Sequence, residues 1–263
     1  MKIKTFIVGY VLALAIFLFA QRRTPSEQDP RFVVVDLTHA TTLVAPTRDA
    51  VQASKNRDGG ADAKLATNDD FFAREILSPN HYGTHLDAPA HLQHGLWTVD
   101  QIPAERLVAP LVVLNVRSKA KYNPNYQISV NDVADWEQVH GQIPQGAVVV
   151  ANTGWESRWG SAKEYRNADS GQTMHFPGYS PETARFLVEG RIVIGLGIDT
   201  LSLDYGPSKD FPVHKYALSH SLYQLENVAN LEQAPESGAT VVVAPSKVTG
   251  GADAPVRLLA LMK

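Results

Sequence analysis

The stretch Asn80-His81-Tyr82-Gly83-Thr84-His85-Leu86-Asp87-Ala88-Pro89-Ala90-His91 gathers three histidines and an aspartate within eleven residues of His81. His81 and His85 are four apart, the spacing that sets two imidazoles on one helical face. A helix is disfavoured here, because Asp87 would point away from His85, Gly83 weakens a helix and Pro89 breaks one. In an extended chain His81, His85, Asp87 and His91 have the same parity and share a face. Full extension would hold His81 and His85 about 13 Å apart, a stretch for one ion, so Gly83 is expected to supply a bend. Two imidazoles and a carboxylate suit zinc, manganese or ferrous iron and leave positions for water and substrate.

A second group follows from His214 to Glu226-Asn227. Ala217, Leu218 and Leu222 continue a helical stripe from His214, and Glu226 stands twelve residues on, roughly 18 Å along an unbroken helix. Both reach one centre only if the helix stops near His220 or Ser221 and the chain returns as a strand through Glu226. Taken alone, each of the two reads as structural.

Around these motifs β-rich runs alternate with helical segments. Strands are expected at 32–37, 111–116, 147–151, 191–198, 240–244 and 256–261. Several are valine- and isoleucine-rich runs of the kind buried on both faces. Ser129 and Asp132 have capping-box spacing and open a helix to about His140, with Val130, Val133 and Trp136 on one face. Ser180 caps a second helix that runs to Glu189, with Pro181 at its first position and Gly190 just past its end. Residues 45–70 are polar, contain Asp58-Gly59-Gly60, and are expected to form a long loop. The pattern is that of a single α/β domain.

Composition narrows the chemistry. The 263 residues suffice for one large domain, and 44 % apolar with 19 % charged residues is an ordinary globular balance. A net charge of −3 leaves no electrostatic footprint for nucleic acid. There is no cysteine, which excludes disulfides, iron–sulfur clusters and thiolate zinc sites. A metal must then be held by imidazole and carboxylate, a set that favours a catalytic site. At the N-terminus, Lys2 and Lys4 precede an apolar run from Phe6 to Ala20, the layout of a secretory signal. Leu18 is large for its place before Ala20, so an uncleaved membrane anchor is the second reading and a buried helix the third; the run is short for a span of roughly 20 apolar residues. Residues 1–23 are read as signal peptide or anchor, 24–31 as a linker and 32–263 as the catalytic domain. It is expected outside the cytoplasm, in a periplasm or anchored to the membrane.

From about Phe32 to the C-terminus the chain resembles the cyclase family, the group containing bacterial kynurenine formamidase and isatin hydrolase. The pattern His-x-Gly-Thr-His-x-Asp-x-Pro-x-His at 81–91 carries the resemblance. Asp36-Leu37-Thr38-His39, Thr153-Gly154-Trp155 with Arg158-Trp159, Phe176-Pro177-Gly178, and Gly197-Ile198-Asp199-Thr200 with Ser202 and Asp204 add to it. So does Glu226-Asn227-Val228-Ala229-Asn230-Leu231. The resemblance implies an α/β fold with a mixed, barrel-like β core and surrounding helices, in a homo-oligomer, dimer or tetramer. It implies hydrolysis of an amide, a formamide or lactam of a small aromatic compound. It makes His81, His85 and Asp87 ligands of a first divalent ion, zinc or manganese. Asp87, His214 and Glu226 match the ligands of a second, and His91 the proton-transfer residue. Some relatives use one manganese, so one or two ions are expected. Two departures, the lack of a tryptophan before Trp97 and His220-Ser221 in place of a glycine turn, point together with the export signal to a different substrate from the formamidase's.

The expected reaction is attack of metal-activated water on an amide carbonyl, with His91 taking the water's proton and returning it to the leaving nitrogen. A hydrolase or lyase acting on a lactone, an imide or a hydroxy acid would share the same ligands. A rival of another class is an exported metal-containing binding protein without catalysis. Asp199 and Asp204 read as turn caps, and Trp155 and Trp159 as core or substrate-stacking residues. His94, His140 and His175 read as surface or structural. No serine has the Gly-x-Ser-x-Gly setting of a nucleophile elbow.

Overall fold

The computed structural model describes residues 32–40 and 79–263, with the backbone of 63–68 and 71–76. The expected signal or anchor and the linker lie outside the described residues. Among the described residues no helix is long and apolar enough to cross a membrane.

The first strands are β1 (Val33–Asp36), β2 (Ala63–Asn68), β3 (Phe71–Ile76), β4 (His85–Asp87) and β5 (Val108–Asn115). Then come α1 (Arg117–Ala120), β6 (Gln127–Ile128), α2 (Val130–His140), β7 (Val148–Asn152) and α3 (Ala162–Arg166). They are followed by β8 (Gly178–Tyr179), α4 (Pro181–Arg185), β9 (Gly195–Ile198) and α5 (Pro212–Ser219). The chain ends with β10 (Tyr223–Glu226), β11 (Ala239–Pro245) and β12 (Asp253–Met262). The main sheet runs β1-β12-β11-β5-β7-β9-β10-β4, and an added β12–β4 pairing closes seven of these strands into a barrel. Strands β5, β7, β9 and β10 are parallel to one another, while β4, β11 and β12 pair antiparallel, so the barrel is mixed as expected.

Alternation along each strand sorts side chains to the two faces of the wall. Leu86, Val113, Val150, Tyr223, Leu225, Val241, Ala254 and Leu258 point inward and form one core. Val112, Val149, Ala151, Leu196 and Ile198 point outward and are covered by Val133, Trp136, Ala184, Val213 and Ala217 of the helices. Parallel strands require crossover connections, and these carry α2, α4 and α5 across the outer face. The β9 glycines have a packing cause: a Cβ on Gly195 would lie 2.6 Å from the Tyr223 ring.

All six expected strands form, but β9 begins later than expected because the chain turns at Ile192, whose φ is +53°. The Ser129–Asp132 box caps α2 reciprocally: Ser129 Oγ accepts the Asp132 N–H at 3.4 Å and Asp132 Oδ2 accepts the Ser129 N–H at 2.7 Å. Ser180 caps α4, which widens at Phe186–Gly190 into a π turn, so Gly190 lies inside the last turn and not beyond it. The long-loop expectation for 45–70 is corrected at its end: Ala63–Asn68 pairs antiparallel with Phe71–Ile76 as a hairpin. The remainder, 45–62 and 69–70, is outside the described residues.

Candidate active site

Three adjacent strands and one helix build the site. In the β10–β4 register Glu226 lies opposite His85 and Gln224 opposite Asp87, and on the far side of β4 Asp253 of β12 lies opposite Asp87. Opposed residues share a face, so His85, Asp87, Glu226 and Asp253 all emerge on one side. The alternate residues Leu86, Leu225 and Ala254 anchor that wall in the barrel core. The site therefore lies on the outer face of the barrel, and the crossover helix α5 lays His214 over it.

The expected helix–turn–strand return is present. α5 stops at Ser219, Ser221 turns in the left-handed region (φ +60°), and β10 carries the chain to Glu226. Phe211 (φ +50°), just before α5, and Asn227 (φ +54°), just after β10, also hold left-handed backbones. Such non-glycine positions cost about 1–3 kcal/mol each and gather at functional sites. Gly83 (φ +74°) supplies the bend expected between the first two histidines, whose ring centroids are 5.9 Å apart. Asn227 fastens this bend, its amide donating to the Gly83 carbonyl at 3.0 Å, while His85 Nδ1 lies 3.0 Å from the same oxygen. The single-face expectation for 81–91 needs correction: only His85 and Asp87 share a strand face, because the chain turns at Gly83 and again in a 3-10 turn at Pro89–His91.

Around a cavity of about 270 Å³ stand His81, His85, Asp87, His91, His214 and Glu226, with Pro79, Leu92, Leu201, Phe211 and Ser202 completing the walls. One group in it is His85, Asp87, Glu226 and His214. His85 Nε2 is 3.6 Å from Asp87 and 3.4 Å from Glu226, and His214 Nε2 is 2.9 Å from Glu226 and 3.9 Å from Asp87. Asp87 Oδ1 is buried with no hydrogen-bond partner, as a carboxylate oxygen reserved for a cation would be. His85, Asp87 and Glu226 are close enough together to hold one ion. His81 stands at the rim with its Nδ1 2.9 Å from Asp253, and His91 Nδ1 is 3.2 Å from the same Asp253 oxygen.

Electrostatics agree with a cation-seeking site. Burial opposes a charge on His85, yet Asp87 and Glu226 beside it hold its pKa up at about 9. Burial likewise opposes a charge on His214, and its bonds to Asp204 and Glu226 raise its pKa to about 10. Burial would raise Glu226, but the two histidines hold its carboxyl far below the usual range. Positive charge is demanded here, and either protons or a divalent ion can supply it.

Two aspartates that contact the site's histidines carry no such role in the sequence reading. Asp204, read as a turn cap, does cap α5 through the Val213 and His214 N–H groups at 2.9 and 3.1 Å. It also lies 2.7 Å from His214 Nδ1, which fixes the ring with Nε2 toward the site. Asp253 was missed outright; its one signal is that Asp253-Ala254-Pro255 repeats the tripeptide Asp87-Ala88-Pro89. The remaining readings divide. Asp199 is the buried cap it was read to be, accepting N–H bonds from Thr153 and Trp155. Trp155 is core, bonded to the Tyr165 carbonyl, and Trp159 stacks on His39. His140 and His175 make structural contacts with Glu236 and Asp169.

A family model described as putative cyclase matches residues 33–205. The chain belongs to the cyclase family. Among its cyclase-family relatives is an isatin hydrolase of Roseibium aggregatum, 32 % identical over 201 residues, covering 73 % of this chain and 76 % of that protein. A kynurenine formamidase of Paracidovorax citrulli is 26 % identical over 189 residues, covering 69 % and 75 %. Among solved structures, isatin hydrolase A of Labrenzia aggregata bound to benzyl benzoate superposes with a TM-score of 0.80 at 32 % identity, covering 88 % of this chain and 94 % of that one.

Proposed function

We propose that this cyclase-family protein hydrolyses the amide C–N bond of a small aromatic amide, either a lactam or a formamide, with the help of a divalent metal ion. The observation that carries the reading is the buried, unpartnered Asp87 Oδ1 among His85, His214 and Glu226, at the floor of a cavity with apolar walls. The donor set fits a metal ion: imidazole nitrogens and carboxylate oxygens of the kind that zinc and manganese accept, with no thiolate in the chain. His85, Asp87, Glu226 and His214 would hold the ion, with His81 at the rim. Such an ion lowers the pKa of water toward neutrality and polarises an acyl oxygen.

The chain's own residues do the rest. Leu92, Leu201 and Phe211 form an apolar wall suited to a flat ring, and the isatin hydrolase and formamidase relatives support an aromatic amide. His91, at the cavity edge, takes a proton from the attacking water and delivers it to the departing nitrogen, so that an amine leaves and not an amide anion. The basic start and apolar run of residues 1–23 support export of the mature domain. The test is to strip the purified protein of metal, then assay isatin and formanilide before and after zinc or manganese is restored. Ion-dependent ring opening or deformylation is expected. A fully loaded protein inert toward both would overturn the amide reading.

A further inference from the structure

Asp253 has no part in the family pattern at 81–91, yet it reaches the two histidines of that pattern which the ion-binding group leaves at the rim. It comes from the far end of the chain, 162 residues from His91, and is brought in by the antiparallel β12–β4 register that sets it opposite Asp87. Its side chain is 9 % exposed, and one oxygen, Oδ2, meets both rings. The contact with His91 Nδ1, at 3.2 Å, is a hydrogen bond. That with His81 Nδ1 is shorter, at 2.9 Å, but off the line of a hydrogen bond, so His91 holds the aligned one. A carboxylate only accepts, so the ring atom facing it carries the proton.

We propose that Asp253 is a positioning residue that fixes His91 in the tautomer with hydrogen on Nδ1, leaving Nε2 as the lone-pair atom. The inference rests on the reading of His91 as the proton carrier. Without Asp253, the neutral ring divides between two tautomers, and only one can accept a proton through Nε2. The same oxygen beside His81 ties the rim of the ion site to the proton carrier, so the two histidines share one support. An alternative use of the cluster is also within reach, since Asp87, His91 and Asp253 stand close enough together to take an ion themselves. The aligned Nδ1 bond favours positioning, because that nitrogen is already committed to a proton.

The experiment is ¹⁵N imidazole NMR on the full chain, ion-free and at alkaline pH where the ring is neutral, before and after zinc is added. Wild-type His91 is expected as the single Nδ1–H tautomer, and to keep that proton when zinc binds. An Nε2–H tautomer, or loss of the Nδ1 proton on zinc binding, would overturn the proposal without any variant. In Asp253→Asn the tautomers are expected to mix, zinc content to stay, and kcat on isatin to fall at least about tenfold with KM little changed. Asp253→Glu is expected to recover part of both signals. Unchanged tautomer and kcat in Asp253→Asn would also overturn it. If wild type proves inert toward amides while its tautomer still depends on Asp253, the functional reading fails and the positioning role stands.

Discussion

The two walls of the cavity are built from similar residues and behave differently. On the closed wall His85, Asp87, His214 and Glu226 have side chains at most 7 % exposed, and the fold holds His85 through the Gly83 carbonyl, His214 through Asp204 and Glu226 through the Leu203 N–H. On the open wall His91 and His81 are 22 % and 41 % exposed and share the Asp253 carboxylate, with Asp87 a further 4.0 Å from His91 Nδ1. Buried imidazoles locked between carboxylates suit a fixed ion, whereas partly open ones suit a group that must exchange protons with a visiting molecule. Solvent access, more than residue type, separates the two roles.

The sharpest way to break this division is to cut the closed wall at its centre. Asp87→Ala should lose the ion and reduce hydrolysis to that of chelator-treated protein, as read by elemental analysis and turnover together. An Asp87→Ala protein that kept a full complement of metal would erase the distinction between the walls. Next in size is His91→Ala on the open wall. Here the ion should stay, while kcat falls by about 10²–10⁴-fold, the usual range for a lost general acid–base. Loss of metal in this variant would move His91 to the closed wall.

The closed wall also makes a pH prediction. In the ion-free protein His85 and His214 titrate near 9 and 10, raised from an ordinary 6.5, so both carry protons at neutral pH. A ligating imidazole must be neutral, and ion uptake therefore releases protons. Zinc affinity should rise with pH up to about 10, by about tenfold per unit for each proton released. The linked stability has the opposite sign. These raised pKa values stabilise the ion-free fold below pH 6.5, and that contribution is lost as pH rises through 9 to 10. Competition with a chelator at several pH values measures the first effect, and thermal melts of the ion-free protein the second.

How much of this could be read from sequence depended on how far apart the partners lie. His85, Asp87 and the bend at Gly83 are local, and spacing with glycine and proline chemistry located them. His214 and Glu226 required one condition, a helix that stops and returns as a strand, and Ser221 meets it. The strands announced themselves through valine-rich runs, and α2 through its Ser129–Asp132 box. The β2–β3 hairpin was hidden because Ala63–Asn68 mixes small and polar residues with Leu65 and lacks the sustained alternation that marks a half-buried strand. Asp253 could not be placed because its partners are set by register between strands distant in sequence, and no local pattern fixes a register. The common face expected for all of 81–91 failed because Pro89 ends β4 in a 3-10 turn that swings His91 to the open wall.

The smallest effect tests how each wall is supported. Asp204 sits beneath His214 on the closed wall, almost wholly inaccessible, and meets three donors: two backbone N–H groups at the start of α5 and the ring Nδ1. In Asp204→Asn the side chain keeps its size and one acceptor oxygen, so the helix cap can survive while the ring loses its charged partner. Ring orientation and basicity then weaken together, and the affinity for zinc should fall about 10–100-fold. Once loaded at saturating zinc, the variant should turn over close to wild type, because its loss lies in holding the ion and not in moving the proton. The contrast is with Asp253→Asn, where metal stays and kcat falls. If Asp204→Asn at saturating zinc instead lost kcat, His214 would belong to the proton path as well, and burial would no longer separate the walls.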